Sequence, residues 1–133
     1  MVIEEALIKY LLTQTGLIAL ISNRIYLMGL PQSPEFPAIV LQKISAPRLH
    51  GFTADYGVET RIQISIWALS YTTISNIFEQ LRASLQNYIN QTMGGVGGVD
   101  VKNVELDDEM DIYEDDTLRF GRHVDFIFWH TEV

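Results

Sequence analysis

The stretch "RIQISIWALSYTTISNIFEQLRASL", residues 61–85, limits the fold more than any other feature, because its hydrophobic period changes from two to about 3.6 within a few residues. Ile62, Ile64 and Ile66 alternate with polar residues, which predicts a strand with one buried face. Ser70 then predicts the N-cap of a helix over 71–91. The apolar residues of that helix are three or four apart: Ile74, Ile77, Phe78, Leu81, Leu85, Tyr88 and Ile89. A chain that buries one face of each element has to combine helices with a sheet.

The remaining hydrophobic patterns predict a second amphipathic helix and several more strands. Residues 2–13 have helical spacing, and 17–22 adds a further turn or two of helix. The strand-like segments are 24–28, 38–46, 99–106 and a long final strand from Thr117. Helices and strands do not alternate singly, which disfavours a parallel βαβ arrangement. We therefore predict a single domain over 1–133 with an α+β fold: an antiparallel or mixed sheet of about four to five strands with two main helices packed on one face.

Composition excludes several classes of protein. With 133 residues, 47% of them hydrophobic and 20% charged, the chain has the make-up of one globular domain. It has no cysteine, which excludes a disulfide framework, a thiolate zinc site and a cysteine nucleophile. The longest apolar run, 17–21, is too short to span a membrane, and the acidic N-terminus is unlike a secretory signal. We expect no membrane association and a protein that stays in the cytoplasm where it is made.

Two connecting segments are candidates for contacts with other molecules. Three prolines stiffen the first, which we predict to be an ordered extended loop from Leu30 to Pro37. It either positions a contact, within the subunit or with a neighbour, or merely crosses the sheet. The second, 47–57, has the composition of a long hairpin tip. The candidate contact residues are Leu30, Pro31, Pro34, Phe36, Pro37, His50, Phe52 and Tyr56.

The acidic residues are concentrated in one segment. The formal charge is −8, and seven of the seventeen Asp and Glu residues lie within 107–116, so the rest of the chain is nearly neutral. These seven are Asp107, Asp108, Glu109, Asp111, Glu114, Asp115 and Asp116. An EF-hand calcium loop starting at Asp107 would need glycine and glutamate where the chain has Ile112 and Leu118. We interpret the segment as a mobile acidic loop at a hairpin tip, either simply solvated or acting as a negative surface.

The glycine-rich segment "GGVGGV", 94–99, predicts a flexible loop rather than a phosphate site. No Gly-Lys-Ser/Thr follows it, and its glycines come after a helix instead of between a strand and a helix start. The flexible positions are Gly94, Gly95, Gly97 and Gly98.

No catalytic or metal-binding constellation has a recognisable spacing. His123 and His130 differ by an odd number, so on one strand they should point to opposite faces rather than share a metal. No Gly-x-Ser-x-Gly nucleophile motif occurs. Trp67 and Trp129 lack the basic groove that accompanies base-stacking platforms, which favours core packing or a subunit interface.

Taken together, the segments resemble those of the tail-completion proteins of long-tailed bacteriophages and prophages. The strongest matches are "LPQSPEFPAIVLQKIS" and "RIQISIWALSYTTISNIFEQLRASL", and the resemblance extends through the N-terminal helix, "RIY" and "HVDFIFWH". It covers about residues 3 to 130, while the glycine-rich and acidic segments are not distinctive. This family is related in fold to the tail terminators of siphophages.

The resemblance implies a structural, non-enzymatic subunit that carries no cofactor. Such subunits form a ring, usually a hexamer, at the head-proximal end of the tail tube, and the isolated protein can be a monomer. The implied partners are the major tail tube protein and a head-completion or connector protein, and the genome passes through the lumen without specific binding. The implied location is the virion tail, assembled in the bacterial host cytoplasm. The acidic segment would line the lumen and repel DNA, or form an arm that recognises a partner.

Two alternatives remain open on sequence grounds. The first is a head–tail connector component that stays monomeric until it docks. The second is a small-molecule-binding or enzymatic α+β domain, which would need a deep pocket with convergent polar groups.

Overall fold

A computed structural model describes residues 1–48 and 57–131 of the chain. The helices are α1 (Ile3–Leu11), α2 (Thr15–Ile21) and α3 (Tyr71–Leu85). The strands are β1 (Ile25–Leu27), β2 (Ala38–Ser45), β3 (Gly57–Ala68), β4 (Gln91–Met93), β5 (Val99–Glu114) and β6 (Arg119–Thr131).

The six strands form one mixed sheet in the order β1-β2-β3-β6-β5-β4. β1 runs parallel to β2, and every other neighbouring pair is antiparallel. β3 is paired with β6 along its whole length, from Gly57 opposite Thr131 to Ala68 opposite Phe120. These two long central strands carry the alternation that the sequence shows, because each presents one side chain in two to the helices.

The helices lie on one face of this sheet, and the core is the layer between them. Buried apolar side chains come from α1, α2 and α3 and from the helix-facing positions of β2, β3, β5 and β6. The largest fully buried ones are Phe126, Phe128, Leu7, Leu11, Leu17, Ile21, Ile39, Leu41, Ile62, Ile64, Ile66 and Ile74. In β3, Ile62, Ile64 and Ile66 are fully buried, while the neighbouring Arg61 and Gln63 are only partly so. The period of two therefore marks the core face as predicted.

The predicted fold class is confirmed, with more elements than expected. The sheet has six strands rather than about four to five, and the helix layer has three helices because α2 is separate from α1. The helix predicted over 71–91 ends at Leu85, and Asn87 takes a positive φ of 62°. The chain then turns into β4, which pairs with the start of β5. Ser70 occupies the N-cap position of α3, but its side chain makes no capping hydrogen bond.

The interpretation of 107–116 as a hairpin-tip loop was wrong. Asp107, Asp108, Glu109, Asp111 and Glu114 belong to β5, which stays paired with β6 as far as Glu114 opposite Arg119. The turn contains Asp115 and Asp116. The strand continues because β6 supplies arginines opposite the carboxylates, and pairing of opposite charges across strands is stabilising.

The glycine-rich segment is the connection of the β4–β5 hairpin. Gly94, Gly95 and Gly97 have positive φ angles of 90°, 76° and 77°. A Cβ on Gly94 would approach the Cα of Ala6 in α1 to 2.9 Å, so the hairpin lies directly against that helix. A Cβ on Gly98 would collide with the carbonyl oxygen of Met93. The glycines are thus required by backbone geometry, and their flexibility stays a prediction.

Candidate assembly surfaces

The face of the sheet opposite the helices, which we call the outer face, is the first candidate surface. No helix of the described ranges covers it. Its central positions are Val40, Gln63, Ser65, Trp67, Arg119, His123, Asp125, Ile127 and Trp129. Val40, Ser65 and Ile127 are buried, and the two tryptophans are half-buried. Tryptophan and arginine are enriched at protein–protein interfaces, which makes this face a candidate contact surface.

The proline loop, Leu30 to Pro37, lies against one end of the outer face. The guanidinium of Arg119 stands 5.4 Å from the ring centroid of Phe36 and 5.1 Å from that of Trp67, so it is stacked between the two aromatic rings. Arg24 Nε donates a hydrogen bond of 2.7 Å to the carbonyl oxygen of Pro37. These contacts fix the loop on its own subunit and leave its other side open.

A cavity of about 320 Å³ separates the start of this loop from the sheet. Its lining includes Met28, Leu30, Val40, Trp67 and His123. Met28 is 71% exposed, which is unusual for an apolar side chain beside a half-buried tryptophan. The loop and the outer face therefore form one continuous, partly apolar surface.

Polar side chains at the centre of the outer face are bonded to one another. The Ser65 hydroxyl and His123 Nδ1 are 2.6 Å apart. Arg61 and Gln63 each donate to the Asp125 carboxylate over 3.3 Å. Burial lowers the pKa of the His123 imidazole, and the negative charge of Asp125 acts in the opposite direction. These polar groups therefore have hydrogen-bond partners within the subunit itself.

The second candidate surface is the part of β5 from Asn103 to Glu114, which we call the acidic edge. On one side it is paired with β6. On the other side β4 covers only Val99 to Val101, and a last backbone hydrogen bond runs from Asn90 N–H to the Lys102 carbonyl. Within residues 1–48 and 57–131, nothing pairs with the open side of the acidic edge.

Three arginines partly neutralise the acidic edge from the side of β3 and β6. Arg61 reaches Asp107 at 2.6 Å. Arg119 Nε donates to Glu114 at 3.0 Å, close to the turn. These contacts explain why a segment with so many carboxylates folds as a strand.

The third arginine, Arg122, is the most deeply placed. Its Nε donates to Asp111 at 2.6 Å, and its Nη2 donates to the Tyr71 hydroxyl at 2.9 Å. Tyr71 in turn donates to Asp111 over 3.0 Å, which closes a triangle between α3, β5 and β6. The guanidinium also stacks on Phe78, 5.1 Å from its ring centroid. The hydrogen bond from Arg122 lowers the pKa of the Asp111 carboxyl, and the bond from Tyr71 adds to this effect against the opposing effect of desolvation.

The structure brings some of the sequence-predicted residues together and separates others. Leu30, Pro31, Pro34, Phe36 and Pro37 share the loop that lies on the outer face, whereas the acidic edge lies towards the other edge of the sheet. His50, Phe52 and Tyr56 lie outside the described residues.

The two histidines of β6 face opposite sides of the sheet, as their odd separation predicted. His123 contacts Ser65 on the outer face, and His130 Nε2 lies 2.6 Å from the Thr60 hydroxyl on the helix side. In the described part of the chain, no three His, Asp or Glu side chains are grouped to hold a metal ion. None of the helices described is long and apolar enough to cross a membrane.

Sequence reasoning missed the arginines as organisers of these surfaces. Arg119 and Arg122 stand on β6, on opposite faces of the sheet, and each engages a carboxylate of β5 together with aromatic rings. The sequence does contain a sign of this pairing, because both arginines follow the acidic run directly. In a hairpin, that order places basic residues opposite acidic ones across the two strands.

An α+β subunit with a helix layer on one side, a half-buried open sheet face on the other and an unpaired strand edge has the features of an assembly protein. The sequence matches the family described as "Tail completion protein gp17" over residues 5–131. Because the match covers nearly the whole chain, the protein belongs to this family of phage tail structural proteins, and it is a component of the virion tail. No curated protein sequence matches the chain.

A solved structure has the same fold. A chain in the structure titled "Virion of native gene transfer agent (GTA) particle" superposes with a TM-score of 0.74 at 10% sequence identity. The alignment covers 98% of this chain and 95% of that one. With so few identical residues, the superposition shows that the two chains share a fold.

Proposed function

We propose that copies of this subunit form a closed ring, a hexamer, at the head-proximal end of the tail tube. The ring ends tube growth and offers its other side to a head-completion or connector protein, and the genome passes through its lumen. The subunit acts through contacts rather than catalysis. Membership of the tail-completion family and the similarity to a chain of a virion particle support this proposal.

The observation that carries the ring is the open outer face with the proline loop on it. In a ring each subunit presents one surface to one neighbour and a different surface to the other. The proline loop is held by Arg24 and Arg119, so it loses little conformational entropy when it docks. Exposed Met28 and the half-buried Trp67 beside it supply the apolar area that such a contact buries.

The acidic edge fits a partner surface better than a repulsive lumen lining. Asp107, Asp111 and Glu114 are within 3.0 Å of arginine nitrogens, which reduces the net charge that DNA would meet. Repulsion acts only within a Debye length of about 8 Å at physiological salt. An unpaired strand edge, by contrast, is a binding surface for another chain wherever it lies in the ring.

Electron microscopy of the purified protein, alone and mixed with its tail tube protein, tests the proposal. We expect sixfold rings, or tubes of fixed length with a cap at one end. Tubes that keep growing past the added protein, with the protein monomeric at every concentration, would contradict it. A subunit that is monomeric alone and binds only a preformed head connector would instead support the alternative of a connector component.

A further inference from the structure

We propose that the acidic edge, Asn103 to Glu114 of β5, binds an extended basic segment of another virion protein by adding it to the sheet as a further strand. The inference rests on the proposed function for the identity of that protein as a virion component. The binding itself follows from the backbone, the charge and the side chains of the edge.

The backbone of the acidic edge determines the conformation of the segment that binds to it, which we call the occupant. Eleven of its twelve residues are paired with β6 on one side, with a bulge at Asp107, and in the described ranges none of them has a strand on the other side. Every second N–H and C=O group of an antiparallel edge strand points away from its partner and is free to bond. At about 3.4 Å per residue the open edge is roughly 40 Å long. An extended chain satisfies these groups, whereas a helix does not.

The charge of the acidic edge defines the chemistry of the occupant. Six of its twelve residues are acidic and none is basic. The arginines that pair with it belong to β3 and β6, on the side that is already occupied. Glu105 and Asp108 have no ion pair in the described part of the chain, and both are exposed. A strand added on the open side therefore gains opposite-charge pairs if it carries Lys or Arg.

A second copy of this chain fits the acidic edge poorly. Two acidic edges placed side by side would bring carboxylates into register, which is destabilising. Of the other open edges in the described ranges, the outer sides of β1 and β4 are three residues long and uncharged, and the remaining one is the end of β2, Gln42 to Ser45, beyond the part that β1 covers. Its one charged side chain, Lys43, already contacts Glu4 at 3.3 Å. The occupant is thus a different protein.

Apolar side chains on the acidic edge add a second feature to the occupant. Leu106, Met110 and Tyr113 are 40%, 58% and 48% exposed and stand between the acidic residues. Leu106 and Tyr113 point to the helix side, and Met110 to the outer face. An added strand that combines basic and β-branched residues would cover all three. Without an occupant, exposed apolar residues on a long edge are an aggregation hazard.

A synthetic peptide of roughly ten residues that alternates Lys and Val serves as the probe. Nuclear magnetic resonance measures amide hydrogen exchange across the acidic edge with and without this peptide. In the free protein we expect alternate amides to exchange fast on each side of the bulge at Asp107, because within each stretch only every second N–H is bonded to β6. The peptide should protect the fast set, and a matching peptide of Glu and Val should not.

Two controls separate strand addition from simple charge attraction. A Lys–Val peptide with every second nitrogen methylated keeps its charge but cannot complete the ladder, and we expect it to lose binding. The variant Glu105→Lys should weaken binding of the unmodified peptide roughly fivefold or more, while Glu5→Lys, the same change on exposed α1 surface, should leave it unchanged.

The proposal is overturned if the methylated peptide binds as well as the unmodified one. It is overturned too if no Lys–Val peptide binds, which would mean that the carboxylates serve only to keep the edge unpaired. Ring formation is measured on the same samples by electron microscopy. Rings without peptide binding would contradict this inference alone, and peptide binding without rings would contradict the proposed ring alone.

Discussion

At the scale of single residues, Arg122 connects a helix and a strand through contacts that the sequence does not predict. Its side chain is enclosed by Tyr71 and Phe78 of α3 and by Asp111 of β5, and the residue is only 8% exposed. The guanidinium of Arg122 thus joins the start of α3 to the half of the β5–β6 hairpin that lies near its turn. The sequence identifies the residue as basic but cannot show which carboxylate it meets, because that depends on the register of two strands.

We expect Arg122→Ala to lower the free energy of unfolding by about 2 kcal/mol, measured by chemical denaturation. Removing one partner of a fully buried pair costs about 3–5 kcal/mol, and the loss here is smaller because Asp111 is half exposed. Arg82→Ala, on the exposed surface of α3, is the matched control and should cost less than about 1 kcal/mol. Equal effects of the two substitutions would show that the triangle with Tyr71 contributes nothing.

Acid should weaken the fold partly through Asp111. Its pKa is held low in the folded state by the hydrogen bond from Arg122. The stabilisation is therefore present above the unfolded-state pKa of about 3.9 and is lost as the pH falls through the lower folded value. We expect Asp111→Asn to be less stable than the parent near neutral pH and to lose less stability on acidification. Denaturation at a series of pH values measures this, with Asp116→Asn, in the turn, as the control that should follow the parent.

At the scale of elements, the two hairpins of the second half of the chain are fixed by different means. The β5–β6 hairpin is held by cross-strand ion pairs and by Tyr113 against Phe120, whose ring centroids are 4.9 Å apart. The β4–β5 hairpin is held by glycine backbone geometry and by contact with α1. Sequence patterns predicted β5 only as far as residue 106, because beyond it the apolar alternation gives way to carboxylates.

Three glycine substitutions separate the cost of backbone conformation from that of steric contact. Gly95→Ala should cost about 1 kcal/mol, because a positive φ is unfavourable with a Cβ and the space around it is open. Gly94→Ala should cost about 2 kcal/mol or more, because its Cβ also meets the α1 backbone. Gly29→Ala, without a positive φ or a neighbour, should change stability by less than about 0.5 kcal/mol. Thermal or chemical unfolding of the three variants measures the order, and equal costs at Gly94 and Gly95 would argue against close packing on α1.

At the scale of the whole molecule, the three helices of the described ranges all lie on one face of the sheet. Burial of one face against the helices makes the core, and the outer face keeps two tryptophans half-buried, Trp67 beside the proline loop and Trp129 towards the other end of β6. A tail protein of this family works by contact with other chains, so a surface that the subunit itself leaves open is where we place the ring contact. The hydrogen bonds of His123 and Asp125 on that surface are made within the subunit, so they do not require assembly.

We expect Met28→Glu to abolish or strongly reduce ring formation while the subunit remains folded. A carboxylate at this exposed position would be buried without a partner in the ring contact, which is costly. Leu12→Glu makes the same kind of change at an exposed apolar position of the helix layer and should form rings normally. Size-exclusion chromatography with light scattering, together with circular dichroism, reports assembly and folding. Normal rings from Met28→Glu would place the contact elsewhere.

The sequence by itself determined the fold class, the core face of β3, the helix that begins at residue 71, though not its end, and the irregular proline loop from Leu30 to Pro37. Each of these is local: period, N-cap position and proline act within a few residues of one another. Family resemblance, which the match over residues 5–131 confirms, also lies in the sequence.

Only the tertiary structure decided that the acidic segment is a strand and that one of its sides is open. That outcome depends on Arg61, Arg119 and Arg122 meeting Asp107, Glu114 and Asp111 across neighbouring strands. A run of carboxylates has low strand propensity and repels itself, so local rules favour a loop. The three arginines reverse that preference because they lie opposite the carboxylates. Their positions depend on the register of β5 with β6 and on the neighbouring β3, which only the folded chain defines.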